Sequence, residues 1–104
     1  MPQLRIRVDD DRVVWLAGEF DLLAEEPFAA ATSRLDRDPD DVVVDLTDVS
    51  FIDSTGVRCL LRLARSVEPS RVVLRRPSAA VARLLDIVRI EGTLGIHVVG
   101  EEPD

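Results

Sequence analysis

Apolar and polar residues alternate with a period of two at the start of the chain, which is typical of a half-exposed β-strand. Leu4, Ile6 and Val8 are separated by arginines, and a second apolar run follows at 13–17, after a turn of three aspartates. Because the two runs are close in sequence, we expect them to form an antiparallel hairpin. The hairpin is predicted to lie at one edge of a sheet.

The next segment, 22–35, has the residue spacing of a helix. Phe28, Ala31 and Leu35 fall on one helical face. Asp21 directly precedes the segment and is a candidate N-cap, because an aspartate there accepts hydrogen bonds from backbone N–H groups. We therefore predict a helix that packs one apolar stripe against the sheet.

A continuous apolar run at 42–46 is typical of a strand inside a sheet. It follows a charged loop at 36–41, and it has no alternation of apolar and polar residues. We therefore expect an interior strand covered on both faces, or nearly so. The polar passage at 47–50 is interpreted as part of the turn that leads to the next helix.

The residues after Asp53 form a second helical pattern. Four apolar residues recur at i, i+3, i+4 and i+7 and are predicted to be buried: Val57, Leu60, Leu61 and Ala64. A serine and three arginines share a different stripe and are expected to face water: Ser54, Arg58, Arg62 and Arg65. The helix is expected to end around 67–70, because Pro69 disfavours helix at the residue before it.

The remaining segments repeat the order of strand and helix. We predict a strand at 71–75, a helix that begins at 76–78, a final strand at 95–99 and a loose acidic tail at 101–104. The core face of this last helix is predicted to comprise Val81, Leu84, Leu85 and Val88. The whole order predicts one α/β domain over 1–104, a mostly parallel mixed sheet of about five strands with about three to four helices.

Composition and charge exclude several classes of function. The net charge is -7 at pH 7, which leaves no surface-wide basic field for nucleic acid. No apolar run is long enough to span a membrane, and no secretory leader is seen, so we expect no direct membrane insertion. A single cysteine, Cys59, forms no internal disulfide, and a cytoplasmic location is expected. One histidine and one cysteine leave little for a transition-metal site.

The start of the helix after Asp53 carries two hydroxyls, Ser54 and Thr55, where backbone N–H groups are unpaired and the helix dipole is positive. One interpretation is capping, with Asp53 or Ser54 as the acceptor. The other is that a hydroxyl here accepts a phosphoryl group, stabilised by the dipole and by a cation such as Arg58.

Four passages resemble the STAS-domain family of bacterial anti-sigma factor antagonists. The most specific is 49–57, which contains Asp-Ser-Thr-Gly, and the others are 18–21, 45–46 and 77–87. The resemblance covers nearly the whole chain in order. It implies a phosphoprotein that regulates transcription by partner switching, and not an enzyme.

The resemblance also implies the partners and the site. The unphosphorylated antagonist would bind an anti-sigma factor with serine-kinase activity and release a sigma factor. The kinase would use ATP that it binds itself, so no cofactor is expected on this chain, and a phosphatase would restore the antagonist. Ser54 matches the phosphoacceptor and Thr55 is the second candidate. The partner-binding residues are expected to include Asp21, Asp53, Thr55, Gly56, Arg58 and Arg62.

Two alternatives remain at this point. The first keeps the fold without the switch, as an accessory subunit of a membrane transporter or of a stress-signalling assembly. The second is a hydrolase that uses Ser54 as nucleophile and His97, the one histidine, as base. Trp15 is interpreted as a packing residue and Cys59 as a small apolar filler.

Overall fold

Five strands form one sheet in the order in which they follow one another along the chain. The computed structural model describes residues 3–100. The strands are β1 (Arg5–Val8), β2 (Val13–Phe20), β3 (Val42–Ile52), β4 (Val72–Arg75) and β5 (Ile96–Val99). The helices are α1 (Glu25–Thr32), α2 (Ser54–Val67) and α3 (Ala79–Ile87), with short 3-10 turns at Leu22–Ala24 and Thr93–Gly95. β1 and β2 are antiparallel and the other neighbours parallel, which confirms the predicted mixed α/β domain.

The sheet has one buried face and one partly open face. Val14, Val44 and Leu74 are aligned in register on β2, β3 and β4, and all three are completely buried. Val43 and Val73, which point to the opposite face, are only partly buried. Parallel strands that follow in sequence order, joined by right-handed crossovers, have all their helices on one side. The three helices therefore cover the buried face.

The prediction of an interior strand covered on both faces, or nearly so, is confirmed for 42–46, where only Val43 is partly buried, but no helix provides the cover on the open face. On the open face, Asp45 is only 3% exposed, yet side chains from neighbouring strands cover it instead of a helix. Arg75 Nε donates to Asp45 Oδ2 at 2.8 Å. The guanidinium groups of Arg75 and Arg7 lie 5.1 and 5.3 Å from the centroid of the Trp15 ring. We call Arg7, Trp15, Asp45 and Arg75 the tryptophan layer, in which Trp15 packs as predicted.

The two longest strands extend beyond their predicted ends. β2 continues to Phe20 and β3 to Ile52, because residues 47–52 pair with β2 instead of forming a turn. Two register shifts, opposite Trp15–Ala17 and Gly18–Glu19 of β2, accommodate this pairing, and the extra residue of each lies in β3. Such bulges absorb an extra residue and allow a polar passage to remain within a strand. The short strands β1, β4 and β5 each begin one residue later than predicted.

Helix α1 is shorter than the predicted helix at 22–35. The segment begins instead with the 3-10 turn, which Asp21 caps by accepting the N–H of Leu23 at 3.1 Å. The hydroxyl of Thr32 donates to the carbonyl of Phe28 at 2.8 Å in the last turn. Leu35 lies beyond the end of α1. It still packs against the core, so the apolar spacing continues past the last helical residue.

The apolar faces of α2 and α3 differ in detail from the prediction. On α2, Leu63 is buried whereas Leu61 is only partly buried. On α3, Val88 was predicted to be buried and is exposed, so this prediction is wrong. Arg89, with φ of 55°, redirects the chain after α3, and Ile90 is buried in place of Val88. The end of α2 at Val67 agrees with the prediction.

The predicted acidic tail at 101–104 lies outside the described residues. Within residues 3–100, each helix is either too short or too polar to cross a membrane.

Candidate functional site

Two aspartates lie side by side where strands β2 and β3 end. Phe20 and Ile52 are cross-strand neighbours at these ends, and Asp21 and Asp53 follow them directly. The N–H of Asp53 donates to the carbonyl of Phe20 at 3.3 Å, which ties the two ends together. Parallel strands thus bring to one edge of the sheet two acidic residues that are far apart in sequence.

Asp53 is the N-cap of α2. Its Oδ1 accepts the N–H groups of Thr55 at 2.9 Å and Gly56 at 3.1 Å. The carboxylate therefore satisfies two of the backbone donors that a helix start leaves unpaired. Of the two capping residues left open by the sequence, the structure selects Asp53.

Ser54 is the first residue of α2 and is exposed. Since Asp53 provides the cap, the Ser54 hydroxyl is not needed for it, and within residues 3–100 this hydroxyl has no hydrogen-bond partner. Thr55 is only 9% exposed, so its hydroxyl is much less accessible. The geometry presents one accessible hydroxyl at a positive helix end.

Gly56 determines how closely α2 approaches the strand ends. A Cβ at this position would lie 2.6 Å from Cγ1 of Ile52 and 2.7 Å from the carbonyl oxygen of Phe20. No side chain fits in that space. Gly56 and Thr55, both expected to bind a partner, are buried and support the first turn beneath Ser54.

Arg58 and Arg62 are exposed on α2, as predicted, and they share an internal partner. Glu25 Oε2, at the start of α1, lies 2.9 Å from Arg62 Nη1 and 3.6 Å from Arg58 Nη2. The pairs are largely solvated, so each contributes little to stability. Arg58, one turn after Ser54, has the longer contact and is the more available of the two.

Three large apolar side chains next to the aspartates were missed by the sequence analysis. Leu22 and Leu23, directly after Asp21, are 63% and 73% exposed, and Phe51, two residues before Asp53, is 48% exposed. A signal was present for Phe51, because adjacent residues in a strand point to opposite faces and Ile52 is buried. These side chains add an exposed apolar rim to the acidic edge, a combination typical of protein-binding surfaces.

Cys59 lies one turn beyond Thr55 and is buried. Burial raises the pKa of the Cys59 thiol, and the Glu25 carboxylate raises it further, against the opposing effect of Arg62 and Arg58. The thiol is therefore protonated at neutral pH and poorly nucleophilic. This environment supports the interpretation of Cys59 as an apolar filler.

His97 is far from Ser54. Val43, Val73 and His97 are cross-strand neighbours on β3, β4 and β5, so His97 is level with Val43. Ile52, at the end of β3, comes nine residues after Val43, roughly 30 Å further along the strand direction at about 3.3 Å per residue, and Ser54 lies beyond it. His97 instead contacts Glu91, with 3.1 Å between Nδ1 and Oε2. The hydrolase alternative therefore lacks its base. Among residues 3–100, no group of three or more His, Cys, Asp or Glu side chains is placed to hold a metal ion.

Comparison with known proteins identifies the family. The family model described as "Mlab, STAS domain" matches residues 5–99. No protein with a curated description matches the chain in sequence. The structure is similar to that of the anti-sigma factor antagonist SpoIIAA in its unphosphorylated form, with a TM-score of 0.66 and 20% identity over 96% of this chain and 90% of that chain. It is also similar to a candidate anti-sigma factor antagonist from Thermotoga maritima, with a TM-score of 0.69 and 19% identity over 90% of this chain and 85% of that chain. The match over 5–99 shows that this chain belongs to the STAS-domain family.

Proposed function

We propose that this chain is a cytoplasmic anti-sigma factor antagonist that is switched off by phosphorylation of Ser54. With Ser54 unmodified, it binds an anti-sigma factor that is also a serine kinase, and a sigma factor is released. The kinase transfers the phosphoryl group from ATP that it binds itself, and this chain needs no cofactor. A phosphatase removes the phosphate and restores binding.

The accessible hydroxyl of Ser54 is the observation that carries this proposal. Asp53 provides the cap of α2, so modification of Ser54 removes no hydrogen bond within residues 3–100. A phosphate at the first turn of a helix is favoured by the dipole. The fold is therefore expected to tolerate the phosphate. Phosphorylation is expected to change the binding of a partner at this surface instead.

The surroundings of Ser54 support an electrostatic switch. The hydroxyl lies at an edge with two aspartates, Asp21 and Asp53, and with the exposed side chains of Leu22 and Phe51. A phosphate adds nearly two negative charges to this edge. A partner that buries the apolar side chains would have to desolvate those charges, which weakens binding.

The test is the intact mass of the chain purified from its native host, with peptide mapping over Phe51 to Arg62. The proposal predicts a species heavier by one phosphoryl group, mapped to Ser54, which is lost in Ser54→Ala. Ser50→Ala, at another exposed serine, is the matched control and should leave the modification unchanged. Modification that persists in Ser54→Ala would move the acceptor to another hydroxyl. No modified species under any growth condition would favour a STAS module that binds its partner constitutively, such as a transporter accessory subunit.

A further inference from the structure

A groove lies between helix α2 and the 3-10 turn Thr93–Gly95. Its volume is about 450 Å³, and it is lined by Arg58, Leu61, Arg62, Arg65, Thr93 and Leu94. Leu61 and Leu94 are partly buried and pack against the core, so they form an apolar floor. The arginines form the rim. We call this feature the α2 groove.

The loop that forms one wall of the α2 groove has an unusual backbone. Leu94 adopts φ of 52° and ψ of 32°, the left-handed region that residues with a Cβ rarely occupy. Gly92 and Gly95, on either side, also have positive φ, of 82° and 77°. The glycines adopt this conformation readily, whereas Leu94 does so at a cost that its packing offsets. The loop thus holds an apolar side chain at the bottom of an arginine-lined groove.

The α2 groove is positively charged in a chain whose net charge is -7. Three of its six lining residues are arginines and none is acidic. Glu25 approaches from the α1 side and neutralises Arg62 and, more weakly, Arg58. Arg65 has no ion pair among the described residues. The groove therefore favours a ligand with carboxylates, and its floor favours apolar side chains between them.

Ser54 lies on the same stripe of α2 as part of the α2 groove. Successive steps of 100° place Ser54, Arg58, Leu61 and Arg65 on one stripe of the helix. The stripe from Ser54 to Arg65 is about 16 Å long, at 1.5 Å per residue. A protein that docks over Ser54 therefore has the groove within reach, along the same helix.

We propose that the α2 groove binds an acidic amphipathic segment of the same partner that docks at Ser54. Apolar side chains of the segment rest on Leu61 and Leu94, and its carboxylates pair with Arg65 and Arg58. The identity of the partner rests on the proposed function, whereas the chemistry of the segment rests on the groove. Glu25 is an internal competitor, because it holds Arg62 and Arg58 toward α1.

The test uses peptides as probes, with binding followed by amide chemical shifts of the full chain. The first peptide is a blocked helix of about fourteen residues with leucines on one face and glutamates elsewhere. In the second, lysines replace the glutamates. We expect the glutamate peptide to bind, with shifts confined to α2 and residues 93–95, and the lysine peptide to bind much more weakly. Equal binding of both peptides, or shifts elsewhere, would overturn the proposal.

Two variants, each with a matched control, sharpen this test. Arg65→Glu should weaken binding of the glutamate peptide about threefold to tenfold, whereas Arg83→Glu, at an exposed arginine on α3, should leave it unchanged. Glu25→Gln should strengthen binding, because it frees two guanidinium groups, and Glu26→Gln is its matched control. No difference between Arg65→Glu and Arg83→Glu would overturn the proposal. Arginine-dependent binding to anionic phospholipid vesicles without binding of the peptide would assign the groove to a lipid surface instead.

These outcomes are independent of the phosphorylation test. If Ser54 is modified in the host and the glutamate peptide does not bind, the α2 groove proposal fails and the switch stands. If the peptide binds and Ser54 is never modified, the switch fails and the groove remains a docking site for an acidic segment.

Discussion

At the residue scale, Asp53 and Ser54 are adjacent at the start of α2 and differ in what they bind. Adjacent residues at a helix start often compete for the role of cap, and a serine that caps is tied to the backbone. Here the carboxylate of Asp53 accepts both N–H bonds. The neighbouring hydroxyl remains exposed at the positive end of α2.

This arrangement predicts that Ser54 variants change binding and leave the fold intact. Ser54→Ala should alter the free energy of unfolding by less than about 0.5 kcal/mol, since no hydrogen bond within residues 3–100 is lost. Ser54→Asp should weaken binding of the anti-sigma partner about tenfold or more, which corresponds to about 1.4 kcal/mol. Urea denaturation and titration calorimetry measure the two quantities. Unchanged affinity of Ser54→Asp, with Ser54→Ala as reference, would contradict an electrostatic switch.

Gly56 provides a second prediction at this scale. Gly56→Ala should reduce the free energy of unfolding by about 1–3 kcal/mol, because the new methyl group would overlap Ile52 and the carbonyl of Phe20. Gly100→Ala is the matched control, since a Cβ there meets nothing within 4 Å. Denaturant midpoints of both variants test this. Equal midpoints would contradict this prediction and mean that the first turn of α2 shifts to accommodate the methyl group without loss of stability.

At the scale of the elements, the open face of the sheet is held by the tryptophan layer instead of a helix. Although burial alone would raise the pKa of Asp45, hydrogen bonds from Arg75 and from the N–H of Thr47 hold it below its usual value of 3.8. The Trp15 ring lies over Arg75, and its Nε1 donates to Asp9 Oδ2 at 2.9 Å. The charge on Asp45 is therefore paired and shielded from water. The tryptophan layer links β2, β3 and β4 through Trp15, Asp45 and Arg75.

The lowered pKa of Asp45 predicts a pH-dependent contribution to stability. A carboxyl group whose pKa is lower in the folded than in the unfolded chain stabilises the fold fully above the unfolded value. That contribution is lost as the pH falls below about 3.8 and through the folded value. Asp45→Asn should cost about 1–3 kcal/mol at pH 7. The cost should be smaller near pH 3, below the unfolded value of 3.8, where the paired charge of the wild type contributes less to stability.

Thermal unfolding of Asp45→Asn between pH 3 and 7 checks this, with Asp48→Asn as the matched control. Asp48 lies on the same strand and is exposed, so its variant should show no comparable pH dependence. A destabilisation by Asp45→Asn that is constant across this range would assign the effect to packing and not to charge.

At the scale of the whole molecule, a sheet with two edge strands must avoid pairing with other chains. The outer edge of β5 is closed by the chain itself. The N–H of Gly92 donates to the carbonyl of Ile96 at 2.7 Å, and Glu91 Oε1 accepts the N–H of Val98 at 2.7 Å. Glu91 Oε2 also contacts His97. Backbone groups that would otherwise recruit another strand are thereby occupied.

Glu91→Ala should therefore promote self-association. The N–H of Val98 loses its acceptor, and β5 becomes available to the edge of a second copy. Light scattering across a range of protein concentrations should show a larger mass for Glu91→Ala than for the wild type. Asp86→Ala, at another exposed acidic residue near the same end of the fold, controls for the loss of a negative charge. A variant that remains as monodisperse as the control would show that the rest of the loop protects this edge.

The sequence by itself determined the order of the elements and the position of the helix start at which the candidate site lies. Both follow from local information. The alternation at Leu4–Val8, the helical spacing after Asp53 and the Asp-Ser-Thr-Gly passage are each readable within about ten residues. Local periodicity identifies an element because burial of one face is required whatever the element packs against. The α/β class then follows from the order of strands and helices.

Only the tertiary structure decided which distant residues lie together and which apolar side chains are exposed. The bulges that extend β3 through residues 47–52 depend on pairing with β2, which no local pattern records. The same pairing brings Asp21 beside Asp53 and exposes Leu22, Leu23 and Phe51 around them. The pairing of Glu25 with Arg62, and the placement of Leu94 against α2, join segments that are distant in the chain. Such contacts depend on how the elements pack together, and packing is a property of the whole fold.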